Sequence, residues 1–193
     1  MGAHDTNNTL YDELVARYSE AHRKYHTCQH LNECIANLEP ALDLATHPGE
    51  VEIALWFHDA IYDPKRQDNE LQSALWAKSS TLEARATSQC ADRIYGLVMA
   101  TRHAARPASQ DEQLLVDVDL SILGASQERF DEYEVQVREE YAWVPDWLFR
   151  RKRRAILEDF IARPFIYCTS RFRSAFEAAA RENLGRSISR LGG

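Results

Sequence analysis

Three stretches of this chain carry side chains that could meet at one ion: His30, the pair His58-Asp59, and the aspartates Asp117 and Asp119. In chain order they read H…HD…D, and each falls on a different expected helix beside an apolar face. Imidazole nitrogens with carboxylate oxygens suit a borderline or hard divalent cation: manganese, iron, nickel, cobalt, zinc or magnesium. The argument for an ion begins with cost. A carboxylate turned toward a helical core needs a partner charge or gives up its own. Aspartate is also a poor helix-interior residue, yet Asp117 and Asp119 stand among Leu115, Val116, Val118 and Leu120. By helical angle Asp119 lies somewhat nearer the buried stripe, between Leu115 and Ile122, a difference too small to decide between the two. Each residue alone also has a simpler reading. Either histidine can be a hydrogen-bonded core side chain, Asp59 can sit at a helix surface, and both later aspartates can be solvated at a helix edge.

The elements that must position these residues are expected to be helices. Seven glycines and six prolines leave long periodic segments, with no strand alternation. A first helix is expected over 8–22, with Leu10, Leu14, Val15 and Tyr18 buried. Thr27 caps a second that reaches about Ala45 unless Pro40 bends or ends it early. After the turn His47-Pro48-Gly49, a third helix carries Val51, Ala54, Leu55 and Tyr62 on one face. His58 falls within that face, and the helix is expected to stop at Asp63, before Pro64. Asp68 or Asn69 caps a fourth helix. Thr87 or Ser88 caps a fifth, which ends near His103. A sixth covers about 110–123 and closes at Gly124. An acidic amphipathic stretch follows over 126–142, then a helix from Pro145, then a last one over 169–184 that ends at Gly185. The expected architecture is all-α, a single-domain helical bundle over 8–185 with tails at 1–7 and 186–193.

Composition removes several function classes. At 193 residues the chain can bury a core without disulfides or structural metal. A net charge of −7 argues against general nucleic-acid binding. The basic run Arg150–Arg154 is expected to pair with the acidic segment before it. No basic segment followed by an apolar run opens the sequence, and no stretch is apolar enough for a membrane span. A soluble cytoplasmic protein is the expectation, with Cys28, Cys34, Cys90 and Cys168 reduced. They form no CxxC pair, which speaks against a cysteine zinc site.

Longer motifs surround the candidate donors. They are Arg23-Lys24-Tyr25-His26-Thr27-Cys28-Gln29-His30-Leu31, Trp56-Phe57-His58-Asp59-Ala60-Ile61-Tyr62-Asp63, Asp68-Asn69-Glu70 with Ser73-Ala74, and Asp117-Val118-Asp119-Leu120. On these residues the chain resembles the HD-domain superfamily of metal-dependent phosphohydrolases, over roughly 8–125. The resemblance implies an HD-type helical fold, with His30, His58, Asp59 and Asp119 as ligands of a divalent metal and Asp117 as the fallback for the last. It implies hydrolysis of a small phosphorylated compound, such as a nucleotide, by metal-activated water.

For the catalytic acid or base, Glu70 is preferred and Asp63 is second. Glu70 reads equally as an acid favoured by the dipole of a helix N-terminus. Arg23, Lys65, Arg66 and Arg102 could each clamp a phosphate, and each alone also reads as surface charge. One ion is expected. A second, if held, would fall to His26 or His103. The competing readings are a regulatory module that binds metal and nucleotide without catalysis, an HD-type di-iron oxygenase that would need both His26 and His103, and a purely structural bundle. An oligomer is compatible with Trp143, Trp147 and Phe149, which read as core or interface.

Overall fold

Helix caps and side-chain competition for carbonyls decide where the chain is regular. The computed structural model describes residues 9–192, and every regular element among them is helical. The expected tail over 1–7, with His4, lies outside the described residues. No helix among the described residues is long and apolar enough to cross a membrane. The chain divides into two compact units, one up to Val116 and one from Asp117 onward.

In the first unit, α1 spans Thr9–Tyr18. It stops four residues short of the expected end because the Ser19 hydroxyl donates to Val15 O at 2.7 Å while the next amides bond three residues back. α2 spans Cys28–Leu38, and the Thr27 side chain accepts from Gln29 N as its cap. Pro40 then sits in a 3₁₀ turn over Glu39–Leu44. α3 spans Pro48–Phe57, and Val51, Ala54, Leu55 and Phe57 are buried.

The expected run of α3 to Asp63 is corrected here, because side chains take its last carbonyls. His58 Nδ1 donates to Leu55 O at 2.7 Å, and the Tyr18 hydroxyl donates to Trp56 O at 3.2 Å. Ala60 N bonds Phe57 O, three residues back rather than four. The helix therefore ends with His58 as its C-cap. Beyond lie α4, Asn69–Glu83, α5, Ser88–Ala100, capped by Thr87, and α6, Gln110–Asp119.

The second unit begins within the last turn of α6 and continues as a 3₁₀ turn over Leu120–Gly124. Gly124 is required there: a Cβ would stand 2.6 Å from Phe176 Cβ and 2.7 Å from Phe176 O. α7 spans Gln127–Glu140, α8 Asp146–Ala162 and α9 Ser170–Gly192. α9 runs through Gly185, so the expected tail at 186–193 is helical as far as Gly192. A mid-helix glycine costs about 1 kcal/mol. Contacts offset this: Ser187 Oγ donates to Glu134 Oε2, Arg190 Nη1 pairs with Asp131 at 2.8 Å, and Arg190 O accepts from Arg150 Nη2 at 2.9 Å. In the basic run, Arg153 pairs with Glu134 of the acidic helix, as expected, and Arg154 pairs with Glu158 of its own helix. Trp143 and Trp147 are exposed and belong to no core.

Candidate metal centre

Two helices of the first unit bring three donor atoms together. His30 stands in the first turn of α2, and His58-Asp59 caps the end of α3. His30 Nε2 faces His58 Nε2 at 3.2 Å. Asp59 Oδ2 lies 3.0 Å from His58 Nε2 and 3.6 Å from His30 Nε2. Both histidines are buried. With metal–ligand bonds of about 2.1 Å, neighbouring ligands stand about 3.0 Å apart in an octahedron and about 3.4 Å apart in a tetrahedron. The three separations match edges of such a polyhedron.

Proton placement agrees with that geometry. Leu55 O can only accept, so His58 Nδ1 carries the hydrogen and a neutral His58 presents its Nε2 lone pair. His30 Nδ1 is hydrogen-bonded to the Tyr25 hydroxyl at 2.9 Å, a neighbour of the kind that orients a metal-bound imidazole. The Cys34 thiol, one turn along α2, packs 3.6 Å from the same nitrogen. Burial works to raise the Asp59 pKa, but the neighbouring imidazoles, His58 first and then His26 and His30, act against it more strongly and hold the carboxyl well below the usual range. Asp59 is therefore an anion facing two imidazole nitrogens, and with them it could hold a divalent cation.

The irregular stretch that aims His58 and Asp59 is braced almost carbonyl by carbonyl. Arg23 Nη1 donates to Asp59 O at 2.7 Å, and Nη2 donates to Ala60 O at 3.0 Å. The Ser73 hydroxyl accepts from Ile61 N at 3.0 Å. Asn69 accepts from Asp63 N at 3.1 Å and donates to Asp63 O at 2.9 Å. Tyr18 accepts from Asp59 N at 3.3 Å, and burial first, then the Asp59 charge, pushes its hydroxyl up and keeps it neutral. Sequence reasoning missed Tyr18, Ser73, Asn69 and Cys34. Ser73 and Asn69 stood in a quoted motif, while only an apolar stripe marked Tyr18, and Cys34 entered only as a reduced thiol.

Other expected site residues have different places. Arg23 is corrected: its side chain is fully buried and its fork is spent on carbonyls, so it does not reach a phosphate. Arg66 forks onto Asp68 at 2.8 and 2.7 Å, which holds that carboxyl down at about 2. Lys65 and Arg102 are exposed. Asp63 Oδ1 accepts from Lys65 N at 2.9 Å, closing the loop. Glu70, in the first turn of α4, is half-buried, and its carboxyl makes no hydrogen bond or ion pair with another described residue. His26 stacks on Tyr62 at 4.0 Å between ring centroids and stands 6.1 Å from the His30 ring. His103 follows α5 in left-handed backbone, φ 54°.

The two later aspartates differ sharply. Asp119, half-buried, is the last residue of α6. Asp117 is fully buried, and both its oxygens accept backbone N–H groups: Oδ1 from Cys168 at 2.6 Å and Oδ2 from Thr169 at 2.7 Å. It thereby anchors the start of α9, and its role as fallback ligand is corrected to a structural one. Burial raises its pKa against these bonds. No family model, curated protein or solved structure matches the chain.

Proposed function

We propose that this chain is a divalent-metal-dependent phosphohydrolase of the HD type, acting on a small phosphate compound such as a nucleotide. The observation that supports this most is the convergence of His30 Nε2, His58 Nε2 and Asp59 Oδ2 at 3.0 to 3.6 Å. Asp119 is proposed as the fourth donor, carried at the end of α6. Bound to this set, a divalent ion would lower the pKa of a water to near neutral and polarise a phosphoryl oxygen.

The chain's own residues do the rest. Leu55 O keeps the His58 proton on Nδ1, and Tyr25 orients His30. Glu70, without a partner among the described residues, is proposed to shuttle the proton between water and leaving group. Lys65 and Arg102, both exposed, are proposed to meet the phosphate.

A second reading, a module that binds metal and nucleotide without turnover, is favoured by one observation. Two of the expected phosphate clamps, Arg23 and Arg66, are spent on internal partners. Purified protein with manganese, cobalt or nickel should hydrolyse an aryl phosphate or a nucleotide, and His58→Ala or Asp59→Ala should abolish it. Activity that survives both substitutions overturns the proposal. Nucleotide binding with no hydrolysis across a broad panel selects the second reading.

A further inference from the structure

We infer that Arg23 is a positioning residue that sets the spacing of the donors, an inference that rests on the metal reading above. Its guanidinium joins the two donor-bearing segments through their backbones. Nη1 donates to His26 O at 3.1 Å, just ahead of the helix that carries His30. The same nitrogen donates to Asp59 O at 2.7 Å, and Nη2 donates to Ala60 O at 3.0 Å, immediately after His58.

One planar group thus satisfies three carbonyls from two places in the chain, and its nitrogens cannot move independently. The plane itself is held. The Arg23 guanidinium lies over the rings of Tyr18 and Tyr62, at 5.3 and 5.5 Å, and Nε donates to Glu20 Oε2 at 3.1 Å. A shift of the 58–60 turn relative to the start of α2 would alter the 3.2 Å separation of the two Nε2 atoms directly. Lysine offers a point charge on a flexible stem and cannot reproduce the fork.

Arg181 makes a control with the same bonding pattern on a more exposed side chain. It too donates to three carbonyls, Ile161 at 3.0 Å, Arg163 at 2.8 Å and Pro164 at 3.1 Å, and to one glutamate, Glu177 at 2.8 Å. It braces the end of α8 and the residues just after it against α9, and neither segment carries a proposed donor.

The experiment measures the manganese Kd by calorimetry, with the metal-free thermal midpoint alongside, for wild type, Arg23→Lys, Arg23→Met and Arg181→Met. Arg181→Met should lose thermal stability and keep the wild-type Kd. Both Arg23 variants should bind manganese about tenfold more weakly or worse, and lysine should not rescue. A wild-type Kd in either folded Arg23 variant overturns the inference and leaves the metal reading standing. Wild type that binds no manganese, cobalt, nickel or zinc overturns both. If neither Arg23 variant folds, Glu20→Gln reads the same axis, since it loosens the fork from a partly exposed partner. A several-fold weaker Kd supports the inference, and an unchanged one overturns it.

Discussion

Tyr25→Phe removes one oxygen and leaves the ring in place. Tyr25 is buried, its ring centroid stands 4.6 Å from that of His30, and its hydroxyl is 2.9 Å from His30 Nδ1. Loss of a hydrogen-bond partner behind a metal-bound histidine typically weakens metal affinity about 10- to 100-fold, or about 1.4 to 2.8 kcal/mol. The consequence can be read as thermal stability. At a free ion concentration 100 times the wild-type Kd, binding stabilises the fold by about 2.7 kcal/mol. A tenfold weaker site at the same concentration gives about 1.4 kcal/mol, and a hundredfold weaker one about 0.4 kcal/mol. For a chain of this size each kcal/mol moves Tm by about 2–4 °C. Manganese should therefore raise the wild-type Tm by about 5–11 °C and that of Tyr25→Phe by about 1–6 °C. The metal-free variant should also be less stable, because a buried ring nitrogen loses a partner at a cost of about 1–3 kcal/mol. Differential scanning fluorimetry with and without manganese separates the two effects. An ion-induced shift equal to wild type, in a folded variant, would show that the Tyr25 hydroxyl does not act on a metal-bound His30.

Two further outcomes test the surrounding account. The Arg93 hydrogen bonds hold Glu50 below its ordinary value of 4.5, against the opposing pull of burial. A depressed folded-state pKa contributes stability that is present above about 4.5 and lost as pH falls through the folded value. Glu50→Gln should thus differ most from wild type in urea midpoint near pH 6, and the gap should close as pH drops below 4.5. A gap constant down to pH 3 would contradict this. Asp117→Asn should cost about 1–3 kcal/mol, because its amide nitrogen opposes one of two backbone donors, while metal content stays at the wild-type level. Loss of the ion would return Asp117 to the ligand set.

Most helices were legible because their start signals are local. Thr27 and Thr87 cap as their sequence position suggests, while the expected sixth helix gives way to a 3₁₀ turn at Leu120, before Gly124. The ends were less legible, since distant partners set them. α3 stops at Phe57 because Tyr18 and the His58 ring claim its carbonyls, and α9 outruns Gly185 because Glu134, Asp131 and Arg150 reach its last turns. At the site, residue type and order sufficed to single out His30, His58 and Asp59, whose atoms do converge. Arg23 was misread because a guanidinium beside a histidine motif looks the same in sequence whether it faces phosphate or three carbonyls. Asp117 was ambiguous for a related reason: the amides it accepts from lie about fifty positions away, at Cys168 and Thr169.

Everything proposed for this chain requires that two imidazoles and a carboxylate of the first unit hold a divalent cation. Elemental analysis of manganese-loaded, dialysed protein tests it most directly, on wild type, His30→Ala and His58→Ala with helical content checked by circular dichroism. Wild type should retain an ion, and both variants should lose it with their helices intact. Wild type without an ion, or both variants retaining theirs, would contradict it.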